Sequence, residues 1–121
     1  MKSKGQTALK SARVLLEAGD PDGASNCAYY AMFDTVRAAL IEIGAPVSAQ
    51  DAKTHSGLIA VFNLCLVKTD LLPRELGRAL SRAQEIRILA DYKRDGVPPE
   101  DAATLINDAE SFIAVISGKL L

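Results

Sequence analysis

A chain of 121 residues, 49% apolar and 24% charged, can bury one core but is too short for a catalytic domain plus a separate regulatory one, and it lacks the bias of a disordered segment. Fourteen basic residues against fifteen acidic ones give a formal net charge of −1, which excludes a whole-molecule field drawing the protein to nucleic acid or anionic lipid, so any RNA contact must come from a local patch. No run approaches the ~20 apolar residues of a membrane-spanning helix, and the N-terminal Met1-Lys2-Ser3-Lys4-Gly5 has charge without an apolar segment behind it. The expectation is one cytoplasmic domain spanning residues 1–121.

Leu9, Ala12, Leu15 and Leu16 recur three and four apart with Lys10, Arg13 and Glu17 between them, the pattern of an amphipathic helix that Gly19 stops. Asp20 then Pro21 supply an N-cap and a first-turn proline for a long second helix, which runs to Gly44 with Pro46 beyond it. Ser48 or Asp51 can cap a third helix carrying Leu58, Ile59, Phe62, Cys65 and Leu66 on one face. Pro73 opens a fourth, with Leu76, Leu80, Ala83 and Ala90 inward and Arg74, Arg78 and Arg82 stacked at four-residue steps on another side. Lys93 to Pro99 is a turn by composition, and Ala102, Leu105, Ile106, Ala109, Phe112, Ile113 and Ile116 form the cleanest stripe of all, ending at Gly118. About five helices, no alternating strand pattern and short connections predict an all-α antiparallel bundle. Cys27 and Cys65 lie within apolar segments at no metal spacing and read as two reduced core thiols; no metal or cofactor is expected.

Asn26-Cys27-Ala28-Tyr29-Tyr30-Ala31-Met32-Phe33, Lys53-Thr54-His55-Ser56-Gly57 and Ala90-Asp91-Tyr92 resemble successive signatures of compact HEPN proteins (higher eukaryote and prokaryote nucleotide-binding domain), with Leu71 to Arg78 similar to that family's connector. The resemblance implies a helical bundle that dimerises, and a partnership with a small nucleotidyltransferase in toxin–antitoxin pairs. It also implies, in ribonuclease members, an Arg followed after four to six residues by a His, which together polarise a phosphate and move protons at the ribose 2′-hydroxyl without a metal. This chain departs from that pattern. Ser48, Ala49 and Gln50 occupy the positions before His55 where the Arg belongs, and the match in the fourth helix, Arg87 with Asp91 and Tyr92, lacks the imidazole.

Each candidate has a functional and a plain structural use. Arg87 and Asp91 are the candidate catalytic pair, although an Asp with a reference pKa of about 3.9 is a poor acid near neutrality, and one turn apart the two can simply form an ion pair. Tyr92 is a candidate for nucleotide attachment by the implied partner, or an aromatic at a helix end. Tyr29 and Tyr30 point about 100° apart, so both cannot face one core; with Met32 they are read as a dimer seam, the other use being base stacking. His55 stands at the start of an apolar face, where a packing His is common, while Lys53, Thr54 and Ser56 beside it could hold a phosphate at a helix N-terminus. Arg74, Arg78 and Arg82 could track RNA phosphates or form a solvated face neutralised by Glu75 and Glu85. Taken together, the chain reads as the HEPN component of a prokaryotic two-component, toxin–antitoxin-like system, RNA- or nucleotide-binding, homodimeric and partnered by a nucleotidyltransferase-type protein. The alternatives are an atypical metal-independent ribonuclease using Arg87 and Asp91, and a non-catalytic dimeric interaction module.

Overall fold

A computed structural model describes the backbone of residues 2–48, 53–92 and 96–121 and the side chains of 6–48, 53–88 and 96–121. Its elements are α1 (Lys2–Glu17), α2 (Pro21–Glu42), α3 (His55–Phe62), α4 (Arg74–Tyr92) and α5 (Pro99–Leu120), with α3 running directly into a π-helical turn at Asn63–Val67. Among the described residues there is no strand, so the chain is all-α. None of its described helices is long and apolar enough to cross a membrane.

The reversal between α1 and α2 is made by Gly19 at φ +86, and α2 is then capped as the sequence predicts: the Asp20 carboxylate accepts from the Gly23 amide at 3.0 Å and Pro21 fills the first turn. Two long helices joined by so short a link must run antiparallel. Along α2, Ala24, Ala28, Ala31, Met32, Phe33, Val36 and Ala39 are fully buried. That frequency of small residues lets α1 and α5 approach closely on one side while α3 and α4 pack on another, so α2 is the bundle's central helix. All seven predicted positions of the α5 stripe are buried, and Phe112 meets Phe62 of α3 with ring centroids 5.7 Å apart. Arg13 pairs with Glu110 and Arg82 with Asp108, tying α1 and α4 to the outer face of α5.

Four local expectations change. The helix that carries Leu58 is capped by Thr54, whose extended backbone (φ −123, ψ 148) lets Oγ1 accept from the Gly57 amide at 2.9 Å. Ser48 stands too far from His55 for that task, because a cap must immediately precede the first helical residue, and Asp51 lies outside the described residues. Helix α5 does not end at Gly118 but continues to Leu120; Gly118 is not among the glycines at positive φ, and a glycine that keeps helical torsions only weakens a helix. Past Phe62 the chain leaves the 3.6 period, and the wider π turn puts Leu66 in the core and leaves Leu64 largely exposed. Cys27 and Cys65 are free thiols but sit half-buried against the core rather than within it.

The link into α5 is pinned to the start of α2. The Val97 amide donates to Asp22 Oδ1 at 2.6 Å, and Gly96, at φ +72, lies so close that a Cβ there would stand 2.5 Å from that oxygen. The torsion calls for glycine, and a Cβ would also displace the Asp22 carboxylate from the Val97 amide.

Candidate functional site

Where α2, α3 and α4 meet, the successive residues Tyr29 and Tyr30 diverge as their helical phase demands. Tyr29 is 1% exposed in the chain's own core, and Tyr30, at 37%, reaches the surface. Met32 is also fully buried. A dimer seam built from all three is therefore corrected: their backbone phase points Tyr29 and Met32 inward, and Tyr30 alone remains available to a partner.

The first turn of α3 brings His55 onto this pair. Its ring lies 5.1 Å from Tyr29, 5.8 Å from Tyr30 and 4.4 Å from Phe33, centroid to centroid, and its Nδ1 is 2.6 Å from the Tyr29 hydroxyl. From α4, Arg87 closes the group. Its guanidinium carbon sits 4.9 Å from the Tyr29 ring centre and 5.1 Å from that of Tyr30, one nitrogen donates to the Tyr30 hydroxyl at 3.1 Å, and another lies 3.5 Å from His55 Nδ1. A cation over two aromatic faces gains from their quadrupoles and is held in one orientation.

The tautomer follows from the donors. Arg87 can only donate, so a ring nitrogen facing both Arg87 and the Tyr29 hydroxyl is an acceptor, and the histidine proton sits on Nε2. Burial, then the charges of Arg87 and Arg37, hold the His55 pKa below its ordinary value, which keeps the ring neutral near pH 7. Burial also raises the Tyr29 pKa, partly opposed by the hydrogen bond and charge of Arg87, so its hydroxyl remains a donor. The result is a neutral imidazole beside a fixed guanidinium with N–H groups to spare.

Among the described residues no carboxylate pairs with Arg87. Asp91 and Tyr92 occupy the last turn of α4, but their side chains lie outside the described residues, so the expected Arg87–Asp91 pair and the roles given to Asp91 and Tyr92 fall there as well. Lys53 is exposed, the Thr54 hydroxyl is used as the cap of α3, and Ser56 Oγ accepts from Gln84 of α4 at 3.1 Å. Arg74, Arg78 and Arg82 are exposed along α4; Arg82 engages Asp108 rather than the expected Glu85. No three His, Cys, Asp or Glu side chains converge as a metal site among the described residues.

Arg87 also lines a mixed cleft of about 400 Å³, together with Asp22, Ser25, Asn26, Val97 and Leu105. An enzyme would need Arg87, Asp91 and His55 to converge; the structure brings His55 and Arg87 together, which spacing alone could not place because the two are 32 residues apart and the expected motif is defined on one helix. The available signal was that both fall in or beside segments resembling one family's signatures.

A model of the HEPN domain matches residues 1–119. The chain is 32% identical over 114 residues to a UPF0332 protein of Gloeobacter violaceus, covering 93% of this chain and 86% of the relative. It is 35% identical over 109 residues to a UPF0332 protein of Thermotoga maritima, with 89% and 79% covered. With a protein of Methanocaldococcus jannaschii named as a candidate toxin it shares 30% identity over 105 residues, 87% of this chain and 75% of the relative. The short antiparallel bundle, its tyrosine pair and these matches along nearly its whole length place the chain in the HEPN domain family.

Proposed function

We propose that this protein is the RNA-binding, toxin-like component of a prokaryotic two-component system, and that it holds an RNA phosphate at the Arg87–His55 cluster. The observation that carries this reading is the posture of Arg87: packed on Tyr29 and Tyr30, hydrogen-bonded to the latter, and in no ion pair with a carboxylate among the described residues. Five N–H groups in a fixed fork suit a phosphate. Arg74, Arg78 and Arg82 lie on a different face of the same helix: at about 100° per residue Arg87 falls well over a third of a turn round from them, so they form a separate basic row and the proposed phosphate site stands on Arg87 without them. The toxin-like role is supported by family membership and by the name of the M. jannaschii relative. A homodimer with Tyr30 at its seam, and a nucleotidyltransferase-type partner, belong to the same reading on the strength of the family resemblance.

Binding is tested by fluorescence anisotropy of a labelled single-stranded RNA across a salt series. Wild type should bind with an affinity that falls steeply with salt, and Arg87→Ala should weaken binding at least tenfold, the scale of one lost bidentate contact. Equal binding by wild type and Arg87→Ala would sink the site.

The contact of Arg87 with His55 favours a second reading, metal-independent cleavage. Two helices would supply the Arg and the imidazole that ribonuclease members carry on one, with His55 moving the proton and Arg87 polarising the phosphate. Cleavage in EDTA that is lost in His55→Ala and in Arg87→Ala would establish it; no cleavage above a mock preparation leaves binding alone.

A further inference from the structure

The geometry points to a guanine-reading subsite: the cleft beside Arg87 takes the guanine base of a bound nucleotide, with Asp22 and Asn26 pairing with its Watson–Crick edge. This rests on the proposed phosphate site at Arg87, which lines the cleft from one side.

The cleft's size and polarity make it a base pocket rather than a second phosphate site. At about 400 Å³ it has the volume of an ordinary small-ligand pocket. Leu105 and Val97 contribute apolar wall, against which a planar ring can lie, while Asp22 brings a carboxylate that repels phosphate. An anion therefore sits at Arg87 away from the Asp22 carboxylate, and the attached base reaches toward Asp22.

Asp22 is held in place for recognition. Its Oδ1 accepts from the Val97 amide, which fixes the carboxylate and leaves Oδ2 with both acceptor sites. Asn26, one turn later on α2, is exposed and makes no hydrogen bond among the described residues, so its amide can donate and accept. Ser25, only 5% exposed, lies in the cleft wall. A fixed carboxylate wants adjacent donors. Guanine presents two, N1–H and N2–H₂, with O6 beside them for the Asn26 amide; adenine and cytosine each present one amino group, and uracil one imino N–H.

The test uses the whole protein and labelled oligouridine strands carrying one central guanine, inosine, adenine or uracil, with guanosine 5′-monophosphate as a separate ligand. The guanine strand should bind about tenfold more tightly than the adenine or uracil strand, and inosine, which lacks the N2 amino group, should fall between. Asp22→Asn keeps an acceptor for the Val97 amide while turning the other oxygen into a donor; it should erase the guanine preference, read as the ratio of guanine-strand to oligouridine affinity within that variant. Asn26→Ala should reduce the preference without a change in thermal stability. If guanosine 5′-monophosphate binds as tightly as the strand, the ligand is a free guanine nucleotide and the pocket assignment stands. RNA binding with no guanine preference overturns the subsite and leaves the phosphate site intact. Absence of RNA and nucleotide binding overturns both.

Discussion

Replacing Tyr29 by Phe isolates one hydrogen bond at the centre of the proposed site. The ring is 1% exposed and touches Tyr30, Phe33 and His55, and phenylalanine preserves those contacts. What disappears is the 2.6 Å bond to His55 Nδ1, leaving that nitrogen only the longer 3.5 Å approach of Arg87. A net intramolecular hydrogen bond contributes about 1 kcal/mol, and a stranded buried acceptor can double that; His55 is half-buried, so water can replace the hydroxyl and the smaller figure applies. In a chain of this length about 1 kcal/mol lowers Tm by roughly 4 °C. Tyr30→Phe removes an exposed bond to Arg87 and should stay within about 0.5 kcal/mol, whereas Tyr29→Ala empties a core site and should cost about 3–5 kcal/mol. Thermal unfolding followed by circular dichroism, with urea titration as a check, ranks the three. If Tyr30→Phe destabilises more than Tyr29→Phe, the hydrogen bonding assigned to the cluster is wrong.

Other perturbations test separate parts of the account. Because the His55 pKa lies below its ordinary value in the folded chain, the unfolded state binds the proton first; stability present above about pH 6.5 is lost as pH falls toward the folded pKa. Tm should therefore drop between about pH 7.5 and pH 5.5, and more steeply in wild type than in His55→Gln. Gly96→Ala should cost at least about 1–2 kcal/mol in a urea titration, since alanine resists φ +72 and its methyl would meet the Asp22 carboxylate. Thr54→Ala removes the cap of α3 and should lower stability by about 1 kcal/mol by thermal unfolding. Arg82→Ala breaks an exposed pair with Asp108 and should change stability by no more than about 1 kcal/mol.

The fold was legible where one periodicity governs a whole element. The α5 stripe and the Asp20–Pro21 start of α2 follow from spacing and capping chemistry alone, and the divergence of Tyr29 from Tyr30 follows from the helical repeat. Legibility failed where tertiary packing decides. Met32, read as part of a dimer seam, is core because neighbouring helices cover α2 there, and the π turn after Phe62 breaks the register on which Cys65 was assigned to the core. The site suffered most from this. Spacing rules find groups on one helix, whereas His55 and Arg87 meet through the packing of α3 and α4 around two tyrosines of α2.

His55 is the chain's single histidine, so its imidazole resonances need no assignment among others, and it reports directly on the proposed phosphate site. The most direct measurement is its NMR pH titration, free and saturated with a short single-stranded RNA. A phosphate held by Arg87 places negative charge beside the ring and offsets the cations that depress it, so the His55 pKa should rise on binding, and the rise should vanish in Arg87→Ala. An RNA complex in which the His55 titration curve is unchanged would contradict the account and move the binding surface away from this cluster.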